Sequence, residues 1–326
     1  MRWRFVLTNR VRESENSYLI RLLNIVITMG LQAGYDDYLI HLFNREDNMV
    51  SLKEALEEHK VSQLYEPGFA SCYSNYGAGL AGYVVENVAG EPLYQYVEEE
   101  ILEPLGMEHT RMKPELDEDI KVQKSKAYKV QGNGLSEGNW SYVSMYPAGS
   151  INGTLDDLAK FAIAYLEKNL VIFKKEDTFR KMLSPSYEIV PGVEGIAHGF
   201  IEFDGEYPVF WHNGGTENFS TFFAIVPEAD FAIMACGNTE EAIEMTQPFC
   251  FSMLQKREVQ LEKPQENLPD IAMLTGDYQD YREEHKGILL SVIKTRKIRE
   301  KGSQFYSVFS MTLLLLLCFA VVWKLV

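Results

Sequence analysis

Three short stretches of this chain carry side chains able to move protons or polarise a carbonyl. In Tyr73-Ser74-Asn75 a phenol, a hydroxyl and a carboxamide stand on consecutive residues, so one loop could hold a proton-transfer group and an amide that reads a ligand. The same triplet suits an ordinary helix start, in which Ser74 or Asn75 caps a helix running through Leu80 to Val88. In Trp211-His212-Asn213-Gly214-Gly215-Thr216 a histidine precedes two glycines, whose bare backbone lets a ligand approach an amide N–H closely enough for oxyanion stabilisation. A tight hairpin turn with a surface histidine would be written the same way. The third stretch, Tyr146-Pro147-Ala148-Gly149-Ser150, is compatible with a plain turn.

The elements that must position these groups follow from periodicity. Leu93, Tyr96, Val97, Ile101 and Leu102 fall at helical spacing within Glu91 to Leu105, and Pro104 ends the pattern. A second helix starts at Thr154, whose hydroxyl can cap the backbone with Asp157 three residues on; Leu155, Leu158, Phe161, Ala162 and Leu166 would form its inner face. From Gly199 the pattern changes to the apolar runs GFIEF, PVFWHN, FSTFFAIV and FAIMACG, separated by Asp204-Gly205, Gly214-Gly215 and Pro227 to Asp230, which predicts an antiparallel meander. Helices before strands, without regular β-α-β alternation, predict an α+β fold with an antiparallel sheet packed against helices.

Composition narrows the partners. The chain has 326 residues, 46% of them hydrophobic, and a formal net charge of -16, which disfavours nucleic acid as a partner because that binding draws on Lys and Arg against phosphate. Cys72, Cys236, Cys250 and Cys318 show no C-x-x-C spacing, and the histidines form no H-x-H or H-x-x-x-H pair, so no metal or organic cofactor is expected. Residues 1–270 read as one domain, 271–304 as a charged connector, and 305–326 as a single transmembrane helix, since Met311 to Trp323 is uncharged. The basic residues Lys294, Arg296, Lys297, Arg299 and Lys301 would place the domain on the cytoplasmic side.

In their order and spacing, PGxxxxYSNYGxGLxGxxxE, EPLGM, PAGS before a Thr-Leu-Asp-Asp helix, and HNGGT before FAxVPE resemble the serine β-lactamase and penicillin-binding-protein superfamily, in its class C-like branch. The resemblance covers about Gly30 to Asn238. It implies that Tyr73 exchanges a proton with the nucleophile and leaving group, and that Asn75 hydrogen-bonds the acyl-side amide of a substrate. It also implies that His212 stands at the first position of the K-T-G strand motif, with Gly214 as its glycine and the Gly215 N–H as an oxyanion donor. Such proteins usually work outside the cytoplasmic membrane, against the charge pattern above.

The family's S-x-x-K nucleophile element does not occur before Tyr73; the one S-x-x-K, Ser291 to Lys294, lies in the charged connector. Tyr18 to Tyr38 loosely resembles the leucine-rich turn that follows the nucleophile helix, so the fold is expected to be incomplete at its N-terminus. Three readings stay open: a membrane-anchored serine hydrolase of an amide or ester, inactive in this chain for want of its nucleophile; a pseudoenzyme that binds a peptide or cell-wall-like ligand; and an inert fragment. The partner in the first two is a small-molecule or peptide substrate or ligand.

Overall fold

The architecture is that of a computed structural model, which describes residues 33–37, 43–69, 71–132, 134–169, 171–173, 175–186, 195–254, 276–279, 295–301 and 304–310. Helix α1 (Leu52–Glu58) starts at a Ser51–Glu54 capping box, and α2 (Asn75–Ala89) starts at Ser74 and stops at Gly90, whose φ of 80° is a left-handed C-cap that glycine adopts without strain. Helix α3 (Leu93–Val97) widens into a π-helical turn over Glu98–Leu102, and a short α4 (Glu118–Lys121) follows. The predicted inner face of α3 and its extension holds, with Leu93, Val97, Ile101 and Leu102 buried beside Val85 of α2 and Met145. A small hairpin, β1 (Tyr128–Gln131) with β2 (Gly134–Glu137), precedes α5 (Leu155–Leu166) and α6 (Glu176–Met182).

The predicted meander is present as an antiparallel sheet of β3 (Ile201–Asp204), β4 (Pro208–Gly215), β5 (Ser220–Val226) and β6 (Phe231–Gly237) in sequence order, followed by α7 (Ile243–Leu254). Both faces are covered. Phe210, Phe223 and Ile225 pack with Ala162 and Tyr165 of α5 on one side, while Val209, Phe222, Ala224 and Val226 pack with Cys250 and Leu254 of α7 on the other. That is why FSTFFAIV is almost unbroken in its hydrophobicity rather than alternating.

One expectation needs correction. Leu155 was expected on the inner face of α5 but is 41% exposed, and Asp157 is fully buried, while Leu158, Phe161 and Ala162 pack inward as expected. The Asp157 N–H donates the cap bond to Thr154 Oγ1 (3.2 Å), while the Asp157 carboxylate accepts from His109 N (2.8 Å), Thr110 Oγ1 (2.9 Å) and Lys160 Nζ (2.8 Å), stitching the EPLGMEHT stretch to α5. In the C-terminal region, where the connector over 271–304 and the transmembrane helix from 305 are expected, the described residues are 276–279, 295–301 and 304–310. Residues there form a three-stranded antiparallel sheet, β7 (Gly276–Gln279), β8 (Thr295–Lys301) and β9 (Gln304–Ser310), in that order. Charge does not prevent pairing in a strand, and Gly302-Ser303 between two extended runs is a hairpin signal that the charge count overrode. Residues 311–326 lie outside the described residues; among the described residues no helix is long and apolar enough to cross a membrane.

Candidate active site

The loop before α2 is extended at Ser74 (φ -143°, ψ 116°), so successive side chains alternate in direction. Cys72 and Ser74 turn inward and are buried, each bonded to the segment 35–37: Cys72 Sγ to the Tyr35 carbonyl (3.4 Å) and Ser74 Oγ to the Asp36 carbonyl (2.8 Å). Tyr73, between them, points the other way and meets His212, with ring centroids 6.3 Å apart and planes tilted by 42°. Ser74 also accepts from Gly77 N (3.0 Å), so the helix-start reading of the triplet is correct for this residue.

On the opposite wall, β3 pairs only with Pro208 to Trp211 of β4. His212 to Gly215 run on past it, paired with Phe223 to Ser220 of β5 and with an outer edge free of strand pairing among the described residues. Alternation settles the two faces: Phe210 and His212 look toward the α5 side, while Asn213 looks toward α7 and bonds Gln247 Oε1 (3.2 Å). His212 is partly buried, and burial pushes its imidazole below the ordinary histidine range, with partial compensation from the Asn213 carbonyl beside Nδ1 (2.5 Å). With Nδ1–H donated to that carbonyl, the neutral ring presents Nε2 as an acceptor. Among the described residues a Cβ at Gly214 or Gly215 would meet nothing within 4 Å, so their packing does not demand glycine at either position.

The turn that closes this hairpin is clamped from outside. Asn218, buried, donates to the Asn139 carbonyl (2.7 Å), Ser141 Oγ donates to Glu217 Oε2 (2.6 Å), and Trp140 meets Phe219 edge-on at 5.1 Å. Tyr146-Pro147-Ala148-Gly149-Ser150 is a short 3-10 turn, as its plain reading required. Tyr146 donates to Glu86 of α2, which also accepts from Leu93 N (3.2 Å); burial first, then that carboxylate, pushes the phenol upward. Pro147 sits so close to α2 that a Cβ on Gly82 would lie 2.3 Å from its ring.

Of the residues singled out in the sequence, the structure therefore brings Tyr73 and His212 together and leaves Gly214 and Gly215 on an edge that is open among the described residues. It places Asn75 elsewhere: 5% exposed, with its backbone N–H (2.8 Å) and its Nδ2 (3.2 Å to each oxygen) directed at the carboxylate of Asp37. Asp37 was not recognised from the sequence; two adjacent acids within an apolar stretch, Tyr35-Asp36-Asp37-Tyr38, are the only trace of it. Among the described residues no group of three metal-ligating side chains lies together.

Comparison with known proteins gives this geometry a setting. A family model described as Beta-lactamase matches residues 28–247. An Escherichia coli (strain K12) protein named "Putative D-alanyl-D-alanine carboxypeptidase" is 44% identical over 81 residues, covering 24% of this chain and 18% of that relative. The octameric penicillin-binding protein homologue from Pyrococcus abyssi superimposes with a TM-score of 0.52 at 19% identity, covering 88% of this chain and 61% of that one. A D-stereospecific amidohydrolase from Streptomyces sp. gives 0.55 at 19% identity, covering 66% and 68%. These structural likenesses are of fold, and the chain spans less than a fifth of the curated relative's length.

Proposed function

The chain belongs to the beta-lactamase family, and from that premise we propose that it binds an amide- or ester-bearing ligand of the D-alanyl or D-amino-acid kind in the cleft between Tyr73 and the free edge His212–Gly215. The observation that carries this reading is the approach of Tyr73 and His212, at 6.3 Å, from elements far apart in sequence onto one open strand edge. Tyr73 is the proton-transfer group, Nε2 of His212 an acceptor for a ligand or phenol proton, and the Gly215 N–H a donor to a ligand carbonyl. The open space beside Gly214 and Gly215 is where an extended ligand lies along the edge of β4.

The family chemistry is acyl transfer through a serine. No S-x-x-K stands among the residues given before Tyr73, and an acyl-transfer site without its nucleophile works several orders of magnitude more slowly, so for the residues given we propose binding without turnover. Membrane association through the uncharged run Met311 to Trp323 is part of the same proposal, checked by flotation with liposomes.

Intact-mass measurement after incubation with a fluorophosphonate and, separately, benzylpenicillin tests the reading, together with the thermal transition with and without benzylpenicillin. The expected result is no stoichiometric adduct and a ligand-dependent rise in Tm. An adduct mapped to one serine would overturn the assignment of binding without turnover. A folded protein with no rise in Tm would remove the ligand site itself.

A further inference from the structure

The segment Tyr35 to Asp37 runs beside Cys72 to Asn75 in three successive rungs: Cys72 to the Tyr35 carbonyl, Ser74 to the Asp36 carbonyl, and Asn75 to the Asp37 side chain. The last rung differs from the others in being made by a buried carboxylate, itself 1% exposed. Asp37 accepts the backbone N–H of the first residue of α2, one of the donors a helix start leaves without an intrahelical partner, and takes Nδ2 of the same residue besides. Asp36 Oδ1 in turn accepts from Asp37 N (3.0 Å), which fixes where that carboxylate begins. Asn75 is 5% exposed, so the carboxamide that the family resemblance assigns to a substrate is spent inside the protein.

We propose that Asn75 is a positioning residue, locked by Asp37, and that this pair holds Tyr73 against His212 while ligand recognition falls on Tyr73, His212 and the β4 edge. The proposal deepens the binding reading above and rests on it for its ligand half only. Tyr73 is two residues from the lock, and the backbone between them is extended and pinned on its far side at Cys72 and Ser74. Releasing Asn75 frees the start of α2 and the direction of the Tyr73 ring together, whereas a carboxamide used by a ligand would matter only when the ligand is present.

An exchange of the two side chains separates the roles. In the double variant Asp37→Asn with Asn75→Asp, the asparagine introduced at position 37 can accept the backbone N–H of position 75 through its oxygen and donate its NH2 to the carboxylate introduced there. The lock is thus rebuilt while the carboxamide at position 75 is gone. Two readouts are taken on wild type, Asp37→Ala, Asn75→Ala and the exchange variant: the NMR signals of the His212 ring without ligand, which feel the neighbouring Tyr73 ring, and the affinity for benzylpenicillin. The expected result is that either alanine variant moves the His212 signals and weakens binding roughly tenfold, as loss of a hydrogen bond to a charged group does, and that the exchange variant restores both. His212 signals that stay at their wild-type positions in both alanine variants would overturn the proposal, as would an exchange variant that regains those signals but not the affinity. If benzylpenicillin binds none of the four proteins, the ligand reading fails, and the ligand-free His212 signals decide this proposal by themselves.

Discussion

Replacing Asp157 by Asn tests whether the motif residues before and within α5 act as a fastener. The carboxylate is fully buried and receives His109 N, Thr110 Oγ1 and Lys160 Nζ, all within 2.9 Å. Asparagine can keep one oxygen on His109 and Thr110, but its NH2 then faces the Lys160 ammonium. Bonds to a charged acceptor contribute about 1.5–3 kcal/mol and neutral ones about 0.5–1.5, so the two retained bonds lose roughly 1 kcal/mol each. The lysine bond adds at most about 1 more, because Lys160 is 42% exposed and screened by water. The expected destabilisation at pH 7 is therefore about 2–3 kcal/mol, read by urea denaturation followed by circular dichroism.

A pH dependence accompanies it. Burial alone would raise the Asp157 carboxyl, but the bonds from Lys160, Thr110 and His109 outweigh it and hold the group below the ordinary aspartate range. A folded-state value below the unfolded one means that the stabilisation is complete above the ordinary aspartate value of about 3.9 and disappears as pH falls through the folded value. The gap between wild type and Asp157→Asn should stay constant from pH 8 to 5 and close below about pH 4. A gap under about 0.5 kcal/mol at pH 7, or one that persists unchanged into acid, would refute the reasoning.

Three further outcomes are expected. Gly82→Ala places its methyl against both Cγ and Cβ of Pro147, so overpacking of about 1–3 kcal/mol should outweigh the gain of about 1 in helix propensity, and Pro147→Gly in the same chain, which removes both atoms, should make the Gly82→Ala change less costly in a denaturation series. Gly214→Ala adds a Cβ that meets no described atom within 4 Å, so its stability should stay within about 0.5 kcal/mol of wild type while the benzylpenicillin-dependent Tm shift is reduced; a lowered Tm without ligand would contradict the open edge. The His212 ring should titrate below the ordinary value of about 6.5 in an NMR pH series; because the unfolded chain then holds more protons, this residue costs stability as pH falls below 6.5, and His212→Asn should flatten that part of the curve.

What the sequence disclosed and what it hid divide along physical lines. The meander was legible because each run of β4, β5 and β6 is short, apolar and bounded by turn residues, whereas Tyr73 and His212 were brought into one site only through the family resemblance, which gave no distance between them. Leu158, Phe161 and Ala162 of the expected inner face of α5 do pack inward; Leu155 is the exception, because hydrophobicity assigns every leucine inward and nothing local announces that Asp157 has two donors waiting some 50 residues upstream. The β7–β8–β9 sheet was missed for the converse reason: a run such as Thr-Arg-Lys-Ile-Arg-Glu-Lys is dominated by charge, while its pairing with Gln304 to Ser310 is a property of the backbone. Asp37 was invisible because its partner lies on another element, and the tripeptide that made Asn75 conspicuous gave no indication of which way its amide would turn.

The two walls of the cleft differ in how far apart along the chain their contacts lie. The His212–Gly215 edge is held by the neighbouring strand of one hairpin, whereas the Tyr73 loop is held by rungs that join residues 37 and 38 positions apart. Closing the longer loop costs more chain entropy and waits on more partners, so during refolding the strand wall is assembled first and the tyrosine wall is added to it. A chain caught between those two events carries a finished strand edge with no partner opposite it. In that interval the bare backbone of Gly214 and Gly215 is open to any other extended polypeptide, so refolding yield should fall as protein concentration rises.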